Sequence, residues 1–203
     1  MVNDLQNTKK ELLAPAGDLT RLSYALAYGA DAVYAGQPAF SLRARENGFK
    51  NLDDLAEGIS LCRKAGKKFY LTSNVIARNT KVESFQKALL AAIELKPDAL
   101  IVADPGIIGF LRKEVPQQEL HLSVQANTTN WLTAKYWAEQ GIKRIILSRE
   151  LRLEEVQEIH KRVPEVELEV FVHGSVCMAM SGRCMLSNWV SHRDANQGAC
   201  NNS

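Results

Sequence analysis

The sequence has 203 residues, 46% of them hydrophobic and 24% charged, with a formal net charge of +2. Those proportions belong to a chain that buries a full core, which excludes intrinsic disorder, and the near-neutral balance excludes a protein that holds nucleic acid by bulk charge alone. No segment reaches the roughly 18 apolar residues that span a bilayer, and residues 1–10 are polar without the apolar core of a secretory signal, so the expectation is a cytoplasmic protein without membrane contact.

Past the polar lead of residues 1–10, residues 11–203 read as one domain of alternating strands and helices. Residues 11–17 (ELLAPAG) form a short buried strand closed by Pro15 and Gly17, with Asp18 placed to cap a helix over 19–28. Gly29 stops that helix and residues 30–36 make a second strand. A looser stretch, 37–50, carries Arg43, Arg45, Glu46 and Lys50; its three cations, with Arg183, suit RNA phosphates, although scattered surface cations are more often simply solvated. Leu52, Leu55, Ile59 and Cys62 then fall at helical spacing over 52–65, which places Cys62 on the apolar face. The third strand is predicted at 68–74 and the third helix at 81–95. Residues 99–104 (ALIVAD) run apolar up to Asp104, as a parallel strand covered on both sides requires, and Pro105 and Gly106 open a fourth helix to 113. Strands at 119–125, 143–150 and 167–172 alternate with helices at 131–140 and 153–162.

Seven strands alternating with six helices define a parallel sheet with helical crossovers. A doubly wound sheet would place a Gly-rich phosphate loop after its first strand, and residues 15–17 (PAG) are not one. The expectation is an α/β fold, a (β/α)8 TIM-type barrel truncated after its seventh strand and the cysteine loop that follows. It would be completed by residues past Ser203 or by a second chain in a homo-oligomer.

Barrel enzymes carry their chemistry at the C-terminal ends of the strands. Here those ends present Asn74, Asp104, Gln125 with Asn127 just beyond, Arg149 with Glu150, and His173. A strand end becomes polar simply by entering water, and Asp104 and Glu150 read equally well as helix caps or partners of arginines. Asn74, Gln125, Asn127, Arg149 and His173 are the candidate catalytic and binding residues. Together they suit a substrate with carboxylate, hydroxyl or amide groups, and Arg149 suits a bidentate contact to a carboxylate or phosphate. His121 alternates with Leu120 and Leu122 in mid-strand, either as a core histidine or facing the barrel interior.

Three of the four cysteines, Cys177, Cys184 and Cys200, follow the seventh strand. With His173 or His192 they would make a Cys3His zinc site, although the spacing lacks the usual close pair. A cysteine nucleophile with His173 as base leaves two thiols unused. An iron–sulfur cluster tolerates the spacing and needs about four thiolates, the fourth coming from beyond Ser203 or from Cys62.

Residues 169–177 (EVFVHGSVC) and 182–187 (GRCMLS) closely resemble the signature of the collagenase-like peptidase family, the bacterial U-class peptidases of unassigned catalytic type. Residues 11–17, 29–36 (GADAVYAG), 98–104 (DALIVAD), 121–125 (HLSVQ) and 147–150 (LSRE) carry the resemblance along the chain from Glu11 onward. Residues 30–37, 123–127 (SVQAN) and 193–200 (RDANQGAC) are most similar to a branch of that family that hydroxylates tRNA. What the resemblance implies is 5-hydroxyuridine formation at the wobble position, with the small carboxylate prephenate rather than molecular oxygen as the source of the hydroxyl. It also implies a 4Fe-4S cluster on Cys177, Cys184 and Cys200 with a fourth ligand past Ser203. The family name implies a metal-dependent peptidase instead, with zinc on the same cysteines, yet the sequence contains no HExxH and no GxSxG. A barrel that only docks RNA or a partner protein is the non-catalytic alternative.

Overall fold

In a computed structural model of the protein, the described residues are 10–42, 44, 47–174, 179–180, 189–190 and 192. Among them β1 (Leu13–Pro15), β2 (Ala32–Gly36), β3 (Lys68–Ser73), β4 (Ala99–Val102), β5 (Leu120–Leu122), β6 (Arg144–Ile146) and β7 (Glu167–Glu169) form a single sheet in sequential order, every neighbouring pair parallel. The helices between them are α1 (Leu19–Ala27), α2 (Leu52–Lys64), α3 (Val82–Ile93), α4 (Pro105–Glu114), α5 (Trp131–Glu139) and α6 (Leu153–Arg162). No helix of the described residues is long and apolar enough to cross a membrane.

Local chemistry sets the helix boundaries. Asp18, Asn51, Asp104 and Asn130 accept backbone N–H bonds in the first turns of α1, α2, α4 and α5, which satisfies donors that have no partner within the helix. In α2, Asp53 and Asp54 stand in the first turn and Arg63 and Lys64 in the last, each sign matched to the helix dipole. The loop ahead of α2 is drawn onto the start of α1 by a 2.7 Å bond from Gly48 N–H to the Gly17 carbonyl. A Cβ at Gly48 would lie 2.5 Å from the Asp18 Cβ, so only glycine fits this approach.

Alternation along the strands separates two apolar regions. Phe69 and Leu71 of β3 join Leu22, Leu55, Phe85, Leu89 and Leu122 in the layer between sheet and helices. Tyr70, between them, joins Ala32, Ala99, Ile101 and Ile146 on the opposite face. That second face is concave. In a flat sheet, Glu11, two residues ahead of β1, and Arg144 on β6 would stand about five strand spacings apart, roughly 24 Å; they are instead hydrogen-bonded at 2.5 Å. The sheet is therefore curled in the manner of a TIM barrel, as the alternating pattern predicts.

Several strands are shorter than their apolar runs. The fifth, expected over 119–125, ends at Leu122: the Ser123 hydroxyl accepts from Gln125 N–H and starts a 3-10 turn over Val124–Ala126. The sixth ends at Ile146 rather than 150, and the seventh at Glu169 rather than 172. The extra residues of each run belong to the loops at the C-terminal rim.

Candidate functional site

The C-terminal rim is a belt of polar contacts that joins the strand ends. The Ser73 hydroxyl donates to Gln37 Oε1 at 2.6 Å, and both residues are buried. Asn74, also buried, donates from Nδ2 to the Ser123 hydroxyl at 3.0 Å and accepts from Leu42 N–H at 3.3 Å, spanning from β3 past β4 to the end of β5. Asn127 takes a left-handed conformation (φ 56°, ψ 49°), which asparagine tolerates better than most residues. Its Oδ1 accepts from the Ser148 hydroxyl at 3.1 Å, tying the loop after β5 to the end of β6. The Arg149 guanidinium lies 5.8 Å from the centre of the Phe171 ring and so joins the ends of β6 and β7. His173 is exposed at the end of the same segment.

The five sequence-selected rim residues thus divide by role. Asn74 and Asn127 spend their side chains on hydrogen bonds that shape the rim. Gln125, Arg149 and His173 have no side-chain hydrogen bond or ion pair to any described residue, leaving donors and acceptors open at the mouth. Gln37, Ser73, Ser123 and Ser148 were missed because single serines and glutamines carry no motif; their one signal is position just after an apolar run. Asp104 serves as a cap: its carboxylate accepts from Gly106, Ile107 and Ala77 N–H groups. Glu150 is exposed. Lys50 is exposed too, its backbone N–H bonded to Asp54. Arg43, Arg45, Arg183, Cys177, Cys184 and Cys200 lie outside the described residues.

Cys62 is fully buried in the layer between sheet and helices, and burial pushes its thiol up to about 11. It is a core residue, as its place on the apolar face of α2 predicts, and a poor ligand for any metal at the rim. Among the described residues no three His, Cys, Asp or Glu side chains gather as a metal site.

At the opposite end of the strands lies an ionic network that the sequence does not announce. Arg144 donates to Glu11 from Nη1 and to Glu167 from Nε and Nη2 at 2.8 and 2.6 Å. The Tyr70 hydroxyl donates to Glu11 at 2.8 Å, and Lys68 pairs with the other Glu11 oxygen at 3.2 Å. Burial acts to raise the Glu11 carboxyl, but the bonds from Arg144 and Tyr70 outweigh it and hold it below the usual carboxylate range. His121 is wholly buried with its ring edge-on to Tyr70; burial lowers its pKa, and it hydrogen-bonds through Nε2 to Glu119 at 2.8 Å. Glu169 stands 3.9 Å from Arg144, and burial raises its carboxyl to about 7. Glu11, Arg144 and Glu167 sit at or before the starts of β1, β6 and β7, the end of a barrel that governs stability, whereas Tyr70 and His121 lie within β3 and β5 and Glu169 closes β7.

The family model described as Peptidase family U32 matches residues 17–203. Over 195 residues the chain is 53% identical to "tRNA hydroxylation protein P" of Haemophilus influenzae, covering 96% of this chain and 42% of that protein. Over 190 residues it is 37% identical to a "23S rRNA 5-hydroxycytidine" synthase of Escherichia coli, covering 94% of this chain and 28% of that one. The chain therefore spans less than half the length of these curated relatives. Its fold resembles a solved U32 peptidase structure with a TM-score of 0.67 at 16% identity, covering 80% of this chain and 68% of the other. Taken with a curled parallel sheet whose polar side chains gather at the C-terminal rim, the family match settles descent: the chain belongs to peptidase family U32.

Proposed function

We propose that this chain is part of an oxygen-independent RNA hydroxylase that makes 5-hydroxyuridine at the wobble position of tRNA. The observation that carries the reading is the 53% identity to a tRNA hydroxylation protein across 96% of the chain, and the similarity to an enzyme named for hydroxycytidine in ribosomal RNA supports the same chemistry on a related base. The rim is compatible with two reactants. Arg149 offers a planar fork for a carboxylate donor such as prephenate. Gln125 and His173 offer amide and imidazole groups to a pyrimidine edge or a ribose, and the Asn74–Ser123 and Asn127–Ser148 bonds hold the loops that carry Gln125 and Arg149.

Cys177, Cys184 and Cys200 are the thiols that would hold a 4Fe-4S cluster, which when bound supplies one-electron chemistry. The fourth ligand would come from elsewhere in the full-length protein, because Cys62 is buried in the helix layer with a raised thiol pKa. Iron and sulfide analysis of anaerobically purified full-length protein tests this part; a colourless, iron-free protein would count against it. The activity is tested by nucleoside analysis of tRNA from cells lacking the gene and any redundant pathway, which should lack 5-hydroxyuridine. Hydrolysis of gelatin by the same purified protein, abolished by Cys177→Ser, would favour the peptidase reading instead.

A further inference from the structure

The last described ladder bond between β6 and β7 runs from Leu147 N–H to the Glu169 carbonyl at 3.0 Å. Beyond it two segments leave the sheet side by side, one carrying Arg149 and the other Phe171. Phe171 is 49% exposed, although an aromatic ring gains much by burial and the sheet offers an apolar face within a few residues. What it touches is a guanidinium, and that guanidinium has no hydrogen bond or ion pair to any described residue. An apolar protein segment laid over this pair would bury an uncompensated charge, which is costly. A nucleobase suits both groups: it has a flat π face for the ring, carbonyl oxygens for N–H donors, and a phosphate backbone that complements the charge.

We infer that Phe171 is the surface on which the target uracil stacks when the wobble nucleotide is extruded into the barrel mouth. This rests on the RNA-hydroxylase reading and adds to it a residue that the polar rim did not include. Because Arg149 is held against the same ring, a carboxylate donor bound to its fork would lie beside the stacked base. The Phe171–Arg149 contact then sets the spacing between the two reactants. Unstacking a single-stranded loop base costs little, so one aromatic platform is a sufficient receiver.

The test uses full-length protein and two anticodon stem-loop RNAs, one with uridine at the wobble position and one abasic there. The parent protein should bind the abasic RNA roughly tenfold more weakly than the uridine RNA, a loss in the range expected for one aromatic stack. Phe171→Leu should bind both RNAs equally, at the parent's abasic level. It should raise KM for RNA by about the same factor and lower kcat as well, because the spacing between base and donor is lost with the ring. Phe171→Trp, which keeps the π surface, should retain the parent's discrimination, and it carries the test if the leucine variant does not fold. Equal discrimination by parent and Phe171→Leu, or its loss in Phe171→Trp, overturns the stacking proposal and leaves RNA modification standing. A parent protein that neither binds nor modifies either RNA overturns both.

Discussion

Arg144 on β6 donates to the Glu11 carboxylate at 2.5 Å across 133 positions of sequence, and the same guanidinium reaches Glu167 on β7 at 2.6 Å. One side chain therefore ties the segment ahead of β1 to the two strands at the far side of the curl. The Arg144 side chain is 9% exposed, whereas the Glu167 carboxylate is open to water, so the Glu11 bond carries most of the energetic consequence.

Replacing Arg144 with methionine should destabilise the full-length protein by about 3 kcal/mol, because the partly buried Glu11 then keeps only the more exposed Lys68 as a counter-charge. A double variant, Arg144→Met with Glu11→Gln, should recover part of that loss, since it removes both charges together. Urea denaturation midpoints measure this, and a double variant no more stable than the single one would contradict the assignment.

Glu169 should make stability depend on pH. Burial raises its carboxyl from 4.5 to about 7, with Arg144 on β6 opposing and Glu11 adding to the rise; Glu167, Tyr70 and His121 line the same region. Between pH 4.5 and 7 the folded protein holds a proton that the unfolded chain has released. The contribution is fully present below 4.5 and is lost as pH rises through 7. Glu169→Gln should therefore match the parent near pH 4 and exceed it at pH 8 by up to about 3 kcal/mol. Parallel stability curves for the two proteins across that interval would show that Glu169 does not titrate this way.

The fold was legible in the punctuation of the chain and the interior network was not. Asp18, Gly29, Gly66, Asp104 with Pro105, and Gly141 mark helix ends by chemistry that acts within a few residues, so all seven strands and six helices follow from local pattern. Strand ends were less visible: nothing in residues 119–125 signals that the Ser123 hydroxyl turns the backbone at Leu122. Arg144 reads as the polar edge of an apolar run because its partner Glu11 is 133 residues away, and a pattern of near neighbours carries no record of that distance. The rim was partly legible. Asn74 and Asn127 stand out as polar residues after strands, yet only the geometry shows that their amides are occupied by Ser123 and Ser148.

Cys62 should resist alkylation by iodoacetamide in the folded protein and react once the chain is unfolded, as a fully buried thiol with a pKa near 11 requires. Cys62→Ala should leave the iron content of anaerobically purified full-length protein unchanged while lowering stability by roughly 1 kcal/mol. Cys177→Ala should reduce the iron. Loss of iron in the Cys62 variant would move that residue into the ligand set.

Arg149→Lys should raise KM for the carboxylate donor about tenfold, because a lysine ammonium cannot reproduce the two-pronged contact. Its melting temperature should stay close to the parent's, since Arg149 forms no hydrogen bond or ion pair with the described residues. A marked fall in melting temperature with KM unchanged would make Arg149 a structural residue.

The central claim is that the open rim groups of this family U32 chain serve RNA hydroxylation. The most direct measurement is nucleoside mass spectrometry of tRNA from a strain lacking the gene and any redundant pathway, complemented with the full-length gene carrying either Arg149 or Arg149→Ala. The account predicts 5-hydroxyuridine restored by the parent gene and nearly absent with the alanine variant at equal protein level. Undiminished 5-hydroxyuridine in the uncomplemented strain, or full restoration by Arg149→Ala, would contradict it.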